Sequence, residues 1–341
     1  MRLGVLDIGS NTVHLLLVDA HPGARPVPFA SHKRPLSLVA HLDGAGNITG
    51  EGQRELISFI NEAWAFAGMH RAEDMLAFCT SAIREAGNGA EVLEHVQRET
   101  GVELEELTGP QEAAMTLVAV RRWYGWGAGT ILDLDIGGGS FEMAIGHDEE
   151  PDVATSVPLG AGRLTRDWLP GDLPSARSVR EAQDYIRAML ETAVAKFDGA
   201  GRPDLTVGTS KTFRSLARIT GAAPSAAGPY VRRELRRRDL SLWTQRLAAM
   251  PVMDRANLPG VSEIRAPQLL AGAMVAHTAM ELFKVEVMQI CPWALREGLI
   301  LKRFDHLLYD SDIPVGPAGT GPFRNALRPP LVPEAAGSPA P

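Results

Sequence analysis

Apolar residues in the first third of the chain occur in short runs that are typical of buried β-strands. Two of these runs flank a short polar loop and predict a hairpin, and the last segment of the set alternates between apolar and acidic residues. The predicted strands lie at 3–8, 13–19, 36–41, 75–80 and 102–107.

Between these strands the apolar residues follow a helical period. After a predicted loop at 42–53, apolar positions recur every three to four residues and predict a long helix. The turn SAIREA at 81–86 precedes a second amphipathic helix, and Pro110 stands near the start of a third. The positions that carry these patterns are Leu56, Ile57, Ile60, Trp64, Ala67, Val92, Leu93 and Val96. Strands that alternate with helices predict an α/β lobe over 1–124.

The same order of patterns begins again near Gly129 and predicts a second lobe over 125–310. It contains a hairpin, a Pro-rich connection, a helix, a strand, a mainly helical stretch beyond Pro224 and a final strand and helix. These lie at 131–146, 169–174, 178–197, 204–210, 224–285, 286–291 and 293–306. We expect the last helix to pack back on the first lobe. Residues 311–341 hold eight of the 24 prolines without periodicity, which predicts a disordered tail.

The two hairpins are similar in sequence. Residues 4–19 read GVLDIGSNTVHLLLVD and residues 131–146 read ILDLDIGGGSFEMAIG. Each has an apolar strand, an Asp, a turn of small and hydroxyl residues, and a second apolar strand. Aligning Asp7 with Asp135 also aligns Gly9 with Gly137 and Thr12 with Ser140. Gly-rich bends of this kind expose backbone N–H groups that bind anions, so the repeat predicts two lobes that hold a phosphate between them.

Composition limits the classes of protein that fit. A chain of 341 residues with 45% hydrophobic and 22% charged residues is a soluble protein of two domains. The net charge of −7 argues against nucleic-acid binding, and no apolar stretch is long enough for a membrane span. Cys79 and Cys291 lie in apolar surroundings and are expected to be free buried thiols. We therefore expect a cytoplasmic protein without membrane or nucleic-acid partners.

The residues of the two bends point to phosphate and metal chemistry. The candidate phosphate-binding residues are Gly9, Ser10, Asn11 and Thr12 in the first bend and Gly137, Gly138, Gly139 and Ser140 in the second. Asp135 and Glu142 flank the second bend and offer hard oxygen ligands for Mg²⁺ or Mn²⁺. Plain polar turns, and a purely structural role of Glu142, remain alternatives. Arg84 follows a buried strand and could bind phosphate oxygens or pair with Glu85.

Seven segments together resemble the exopolyphosphatase and guanosine pentaphosphate phosphohydrolase family, within the acetate and sugar kinase, heat-shock and actin superfamily. They are LDIGSNTVHLL, TSAIREA, TGPQEAAM, LDIGGGSFEMAIG, PLGAGRLT, VGTSKTFRSLA and ALREGLI, in the order of the family and over about residues 3–300. The pair DIGSNT and DIGGGS is specific to the family. The resemblance implies an α/β fold of two actin-like, ribonuclease H-like lobes with a cleft between them.

The resemblance also implies site residues. In the family a segment of the form G-x-E-E-A-R carries the acid that acts on the attacking water, which makes Glu112 the matching residue. Gln111 and Ala114 depart from that pattern. A divalent cation, Mg²⁺ or Mn²⁺, would be held by Asp135 with Asp7 or Glu142, and Arg84 would hold phosphate oxygens beside the two bends.

Further cations match basic positions of the family. Lys33 and Arg163 are candidate phosphate ligands, whereas Ser37 stands where an Arg is expected. Lys211 replaces a usual Gly in the segment that wraps the adenosine in nucleotide-using relatives, so it disfavours ATP and could contact a phosphate. The run VRRELRRR at 231–238 is either a solvated surface or a surface that binds polyphosphate beyond the cleft.

These residues favour an exopolyphosphatase that releases orthophosphate from the ends of inorganic polyphosphate, with a preference for short chains because no additional domain is evident. A guanosine pentaphosphate (pppGpp) hydrolase is the nearest alternative. A superfamily kinase or ATP-driven switch, and a catalytically weak sensor of polyphosphate or ppGpp, also remain open. A homodimer through 228–284 is possible on the resemblance alone.

Overall fold

The computed structural model describes residues 1–19, 21 and 25–312, and only the backbone of residues 307–312. Eleven strands and eleven α-helices occur in this part of the chain, together with five short 3₁₀ segments. Residues 311 and 312 end the last helix, so the predicted tail does not begin at 311. The rest of that prediction, 313–341, lies outside the described residues.

The first sheet has five strands in the order β3-β2-β1-β4-β5. β1 is antiparallel to β2, as β2 is to β3, whereas β4 runs parallel to β1 and β5 runs parallel to β4. The strands are β1 (Arg2–Ile8), β2 (Val13–Asp19), β3 (Pro28–Arg34), β4 (Asp74–Cys79) and β5 (Glu105–Glu106).

The second sheet repeats this topology. Its order is β10-β11-β9-β6-β7-β8, with an antiparallel β6-β7-β8 meander and with β9 and β11 joined in parallel. The strands are β6 (Ile131–Ile136), β7 (Phe141–Gly146), β8 (Val153–Val157), β9 (Leu205–Gly208), β10 (Glu234–Arg236) and β11 (Val287–Ile290). The chain therefore folds as two α/β lobes, and the predicted fold class is confirmed.

The helices connect the strands and cover the sheets. In the first part of the chain they are α1 (Gly50–Met69), α2 (Ser81–Arg84), α3 (Gly89–Thr100) and α4 (Gly109–Tyr124). In the second part they are α5 (Ala161–Trp168), α6 (Ala176–Val194), α7 (Lys211–Ile219), α8 (Arg237–Ala248), α9 (Val252–Ala256), α10 (Leu269–Leu282) and α11 (Leu295–Asp312).

Several local predictions are wrong. The third strand is β3 rather than 36–41, because Leu38–His41 forms a 3₁₀ turn after Ser37, which adopts a left-handed conformation with φ 45°. Helix α1 begins at Gly50, inside the predicted loop, where the Thr49 side chain caps it by accepting a bond from the Gly52 amide. The turn at SAIREA contains the short helix α2, and the apolar pattern does not indicate β8, α5 or α7.

Helices α4 and α11 join the two lobes. Ala113, Leu117 and Val120 of α4 pack with Ile131 and Ala144 of the second sheet. Leu299, Ile300 and Phe304 of α11 pack with Leu3 and Val5 of the first sheet. The last helix thus contacts the first lobe, and each helix covers the sheet of the other half of the chain. The division at 124/125 stays a proposal.

The two helices also pack closely on each other. A Cβ placed on Gly298 of α11 would overlap with the carbonyl oxygen of Met115 in α4. Only glycine allows this approach, so Gly298 sets how closely the lobes are joined at this side. Among the described helices, none is long and apolar enough to cross a membrane.

Candidate active site

The two predicted bends have the same backbone geometry. In the first, Asp7 pairs with His14 and the Gly9 amide donates to the Thr12 carbonyl at 3.2 Å. In the second, Asp135 pairs with Glu142 and the Gly137 amide donates to the Ser140 carbonyl at 2.9 Å. The alignment of the two hairpins that the sequence suggests is therefore confirmed at the level of the backbone.

Each bend leaves amide groups available to a ligand. Within residues 1–19, 21 and 25–312, the backbone N–H groups of six bend residues have no acceptor. They are Ser10, Asn11 and Thr12 in the first bend and Gly138, Gly139 and Ser140 in the second. Groups of consecutive free amides bind anions, so the geometry fits the predicted phosphate-binding role.

The two bends meet across the cleft between the lobes. A Cβ on Gly138 would lie 2.6 Å from Asn11 Nδ2, and one on Gly139 would lie 2.6 Å from Ser81 Oγ. Asn11 also exchanges two side-chain hydrogen bonds with Gln268 of the second lobe, at 2.8 and 3.2 Å. The absence of side chains at both glycines therefore allows the lobes to close with their free amides side by side.

The segment Gly160–Arg163 supports the second bend from behind. The first turn of α5 donates the Ala161, Gly162 and Arg163 amides to the carbonyls of Gly137 and Gly138 at 2.9–3.0 Å. A Cβ on Gly160 would overlap with the Gly139 backbone. Because its carbonyls are held in this way, the bend directs its amides towards the cleft.

Glu112 lies in the first turn of α4, where local sequence fixes the helix start. Thr108 and Gln111 form a capping box, in which the Thr108 hydroxyl accepts from the Gln111 amide and the Gln111 side chain accepts from the Thr108 amide. Gln111 therefore has a structural role. Gly109 lies against Ser156 of β8, so the turn that carries Glu112 docks on the second lobe.

Glu112 is a buried carboxylate that pairs with Arg84. Its side chain is 9% exposed, and an Arg84 guanidinium nitrogen contacts Glu112 Oε1. The same nitrogen donates to the Leu107 carbonyl at 2.6 Å. The structure thus brings together the two residues that were predicted to be catalytic, although they lie 28 positions apart in the sequence.

Burial and a second carboxylate raise the pKa of Glu112. Loss of hydration is the larger cause, the nearby charge of Glu142 adds to it, and Arg84 opposes both. Burial raises the pKa of Glu142 to about 7, against the hydrogen bonds it accepts from Ser140 and Ser156. Two neighbouring buried carboxylates with raised pKa values in a cleft are typical of a catalytic site and provide a base of useful strength near neutral pH.

A row of alternating charges links the lobes beside Glu112. Arg163 of the second lobe contacts Glu85, and Glu85 lies 3.6 Å from Arg84, which contacts Glu112. Arg163 Nε also donates to the Gly139 carbonyl at 3.0 Å. The pairing of Arg84 with Glu85 is therefore confirmed, whereas phosphate binding by Arg84 stays a prediction.

Asp135, Glu142 and Asp7 offer oxygen ligands but do not form a three-carboxylate centre. Among the described residues no group of three or more His, Cys, Asp or Glu side chains could hold a metal ion. Asp135 Oδ2 accepts from the Thr209 hydroxyl at 2.7 Å, and Asp7 Oδ2 lies 3.8 Å from Arg296 Nε. Burial raises the pKa of Asp7 to about 6. The donor set fits Mg²⁺, which takes one or two carboxylates together with waters and phosphate oxygens.

Four cations without a carboxylate partner lie at the other side of Asp135. None of them forms an ion pair within the part of the chain that the structure describes, and the other three contribute to the electric field at Lys211. They are Lys33, Lys211, Arg214 and Arg265. Burial and the neighbouring Arg214 lower the pKa of Arg265 to about 10, which shows how closely like charges approach here. Such a cluster is stabilised by an anionic ligand.

The arginine run at 231–238 is not a free cationic surface. Each guanidinium in it already has acceptors, and four of the five arginines pair with three carboxylates. Arg232 and Arg236 pair with Glu234, Arg237 pairs with Glu286, and Arg238 pairs with Asp239. Arg233 donates to the carbonyls of Ala223, Pro224, Gly228 and Val231. These pairs neutralise only part of the charge of the run, so its binding of polyphosphate stays a prediction.

Two lobes of one topology, with glycine bends that meet across a cleft beside a buried carboxylate pair, define an actin-like phosphate-handling enzyme. The profile of the Ppx/GppA phosphatase family matches residues 17–307. The chain belongs to this family, and the resemblance of the seven segments is confirmed.

Relatives of known name are consistent with this assignment. Exopolyphosphatase 1 of Mycobacterium tuberculosis is 54% identical over 305 residues, which cover 89% of each chain. A guanosine-5'-triphosphate,3'-diphosphate pyrophosphatase of Vibrio parahaemolyticus is 26% identical, and the match covers 59% of its length. The solved structure of the Aquifex aeolicus PPX-GPPA enzyme is 26% identical with a TM-score of 0.73, covering 89% of this chain and 99% of that one.

Several residues of the site are not evident from the sequence. Ser156, Arg214, Arg265 and Gln268 reach the cleft from separate elements. Glu85 is predicted as a partner of Arg84 but not of Arg163. Arg214 could have been found, because it follows Lys211 by three positions within a family segment. No local pattern marks Ser156 or Gln268.

Proposed function

We propose that the protein is an exopolyphosphatase that hydrolyses the terminal phosphoanhydride of inorganic polyphosphate. The observation that carries the proposal is the closed cleft, in which two sets of free amides lie side by side near the buried carboxylates Glu112 and Glu142. Exopolyphosphatase 1 of M. tuberculosis, 54% identical over 89% of the chain, supports polyphosphate as the substrate.

In this mechanism the terminal phosphate lies between the bends. The amides of Ser10–Thr12 and Gly138–Ser140 hold its oxygens, as oriented dipoles stabilise charge without reorganisation. Arg84 donates to another oxygen and in doing so leaves Glu112. Glu112 then orients a water in line with the phosphorus and accepts its proton, a role that suits a carboxylate whose pKa is raised.

The cation is part of the proposal. Asp135, with Glu142 or Asp7, would hold Mg²⁺ or Mn²⁺, and the bound ion would neutralise charge on the phosphate oxygens. Thr209 and Ser156 orient Asp135 and Glu142 through hydrogen bonds of 2.7 and 2.8 Å. Lys33, Arg163 and Lys211 are proposed phosphate ligands further from the reacting bond.

Two further features are proposed for the whole protein. Cys79 and Cys291 are free and buried, as is usual in a reducing compartment, which supports a cytoplasmic location. Leu242 and Met253, within the stretch 228–284, are 55% and 75% exposed and would be covered in a homodimer. Light scattering of the purified protein tests whether it is a homodimer.

The experiment that tests the function is phosphate release with Mg²⁺ from short polyphosphate, long polyphosphate, pppGpp and ATP, measured side by side. We expect release from both polyphosphates, with the higher kcat/KM for the short chain. Preferred release from pppGpp would favour the activity named for the Vibrio relative. No release from any of the four would overturn the proposal in favour of a sensor.

A further inference from the structure

One face of helix α7 carries a row of three cations. Lys211, Arg214 and Arg218 are spaced by three and four residues, which places them on the same side of a helix. The row extends over roughly 10 Å at the axial rise of an α-helix. Phe213, Leu216 and Ala217 on the other side are buried in the core of the second lobe.

This row lines an open cavity of about 430 Å³. Arg233 adds a fourth basic side chain to the lining, and the remaining lining residues are prolines, glycines, Ala223, Ser225, Ile290 and Cys291. No acidic and no aromatic side chain belongs to it. In a chain with a net charge of −7, a cavity with four cations and no carboxylate is a selective site for an anion.

The charges of the row are not neutralised by ion pairs, although Arg214 lies within the electric fields of Glu297 and Asp135. Arg214 Nε donates to the Ser210 carbonyl and Arg218 Nη1 donates to the Ala222 carbonyl, both of which leave the positive charge in place. None of the three forms an ion pair with a carboxylate in the described ranges 1–19, 21 and 25–312. The nearby run at 232–238 differs in this respect, because four of its five arginines face carboxylates.

The row begins at the active cleft. Arg214 and Arg265 lie close enough to Asp135 to interact with its charge. Lys33 from the first lobe acts in the same way on Lys211. Arg218 is two helical turns from Lys211 and belongs to the cavity only. A ligand that enters from the cleft therefore meets Lys211, Arg214 and Arg218 in that order.

We propose that this cavity, the α7 cavity, binds the internal phosphates of a polyphosphate chain whose terminal phosphate lies between the two bends. The inference rests on the proposed function for the identity of the chain. A linear polyanion carries charge at every phosphate and can follow a linear row of cations. A nucleoside needs a flat stacking partner, which the cavity does not offer.

The test uses Arg218→Gln, which removes one charge from the α7 cavity without altering the cleft. KM and kcat are measured with tripolyphosphate and with long polyphosphate. We expect KM for the long chain to rise about threefold to tenfold, as for the loss of one charge-assisted hydrogen bond, while KM for tripolyphosphate stays unchanged. Arg238→Gln, which changes an exposed arginine outside the cavity, is the matched control and should alter neither value.

Ser225→Glu is a second variant that keeps every contact of Arg218. Ser225 lines the cavity and its side chain is exposed, so a carboxylate there should also raise KM for the long chain only. Equal effects of either variant on both chain lengths, or an unchanged KM for the long chain, would overturn the inference. Failure of the wild-type protein to hydrolyse either chain would instead overturn the proposed function.

Discussion

His14 shows how single residues in the cleft respond to their neighbours. Its ring accepts a hydrogen bond from Arg296 at Nδ1, and its pairing partner in β3 is Lys33. Loss of hydration is the main cause that lowers the pKa of His14 to about 4, and the two cations contribute. His14 is therefore a neutral structural residue, as its position in the hairpin suggests.

The low pKa of His14 predicts how the free energy of unfolding depends on pH. The folded protein holds His14 neutral down to about pH 4, whereas the unfolded chain protonates it below about pH 6.5, so stability falls as the pH is lowered between these values. We expect the free energy of unfolding in urea to decrease from about pH 7.5 to about pH 5 by more in the wild type than in His14→Gln. The same decrease in both would show that His14 does not contribute.

At the scale of the helices, the crossing of α4 and α11 depends on Gly298. We expect Gly298→Ala to lower the free energy of unfolding by about 1–3 kcal/mol, because the new methyl group would overlap with the Met115 carbonyl and force the helices apart. Urea denaturation with α-helical circular dichroism as the signal measures this change.

The control for this prediction is Gly68→Ala. Gly68 lies within α1, and nothing is found within 4 Å of the position that its Cβ would take. Alanine there should be neutral or should stabilise the helix by about 0.5–1 kcal/mol. If both variants lose the same free energy of unfolding, the close crossing of α4 and α11 does not depend on Gly298.

Elements with a strong local pattern could be predicted from the sequence. The two hairpins, α1, α3, α4 and β4 follow from apolar periodicity, and the Asp-led bends follow from glycines that only a close approach explains. The strand at 36–41 was mistaken because Leu36 and Leu38 are buried without belonging to a sheet. Burial alone does not distinguish a strand from a 3₁₀ turn in so short a run.

The site could be predicted only as far as each residue belongs to a local pattern. Glu112, Arg84 and both bends lie within recognisable segments. Contacts such as Asn11 with Gln268 and Glu85 with Arg163 join residues that are 78 to 257 positions apart. They arise from the closure of the two lobes, which no local sequence pattern encodes.

At the scale of the whole molecule, a row of contacts connects closure of the lobes with the proposed catalytic residues. Arg163, Glu85, Arg84 and Glu112 form one row of contacts across the cleft. Opening the cleft must break the contact between Arg163 and Glu85. We therefore expect Glu85 to be a positioning residue, which holds the Arg84 guanidinium beside Glu112 when the cleft is closed.

We expect Glu85→Gln to shift the protein towards open forms and to lower kcat by about threefold to tenfold. Spin labels are attached at Glu94→Cys and Asp184→Cys, two exposed positions on the two lobes. They report the distance between the lobes in the presence of polyphosphate. The native cysteines are buried and are not expected to react with the label. When Arg163→Gln is already present, Glu85→Gln should add little to the distance between the spin labels. A full additional effect there would show that Glu85 acts independently of Arg163.

The central claim is that Glu112 acts on the attacking water in a cleft that the two bends close. The most direct test is single-turnover phosphate release from short polyphosphate by Glu112→Gln, together with equilibrium binding of the same chain. We expect binding and the unfolding transition to remain near those of the wild type, while the rate of release falls by about 10²–10⁴, as for loss of a positioned base. Near-normal release by Glu112→Gln would contradict the account.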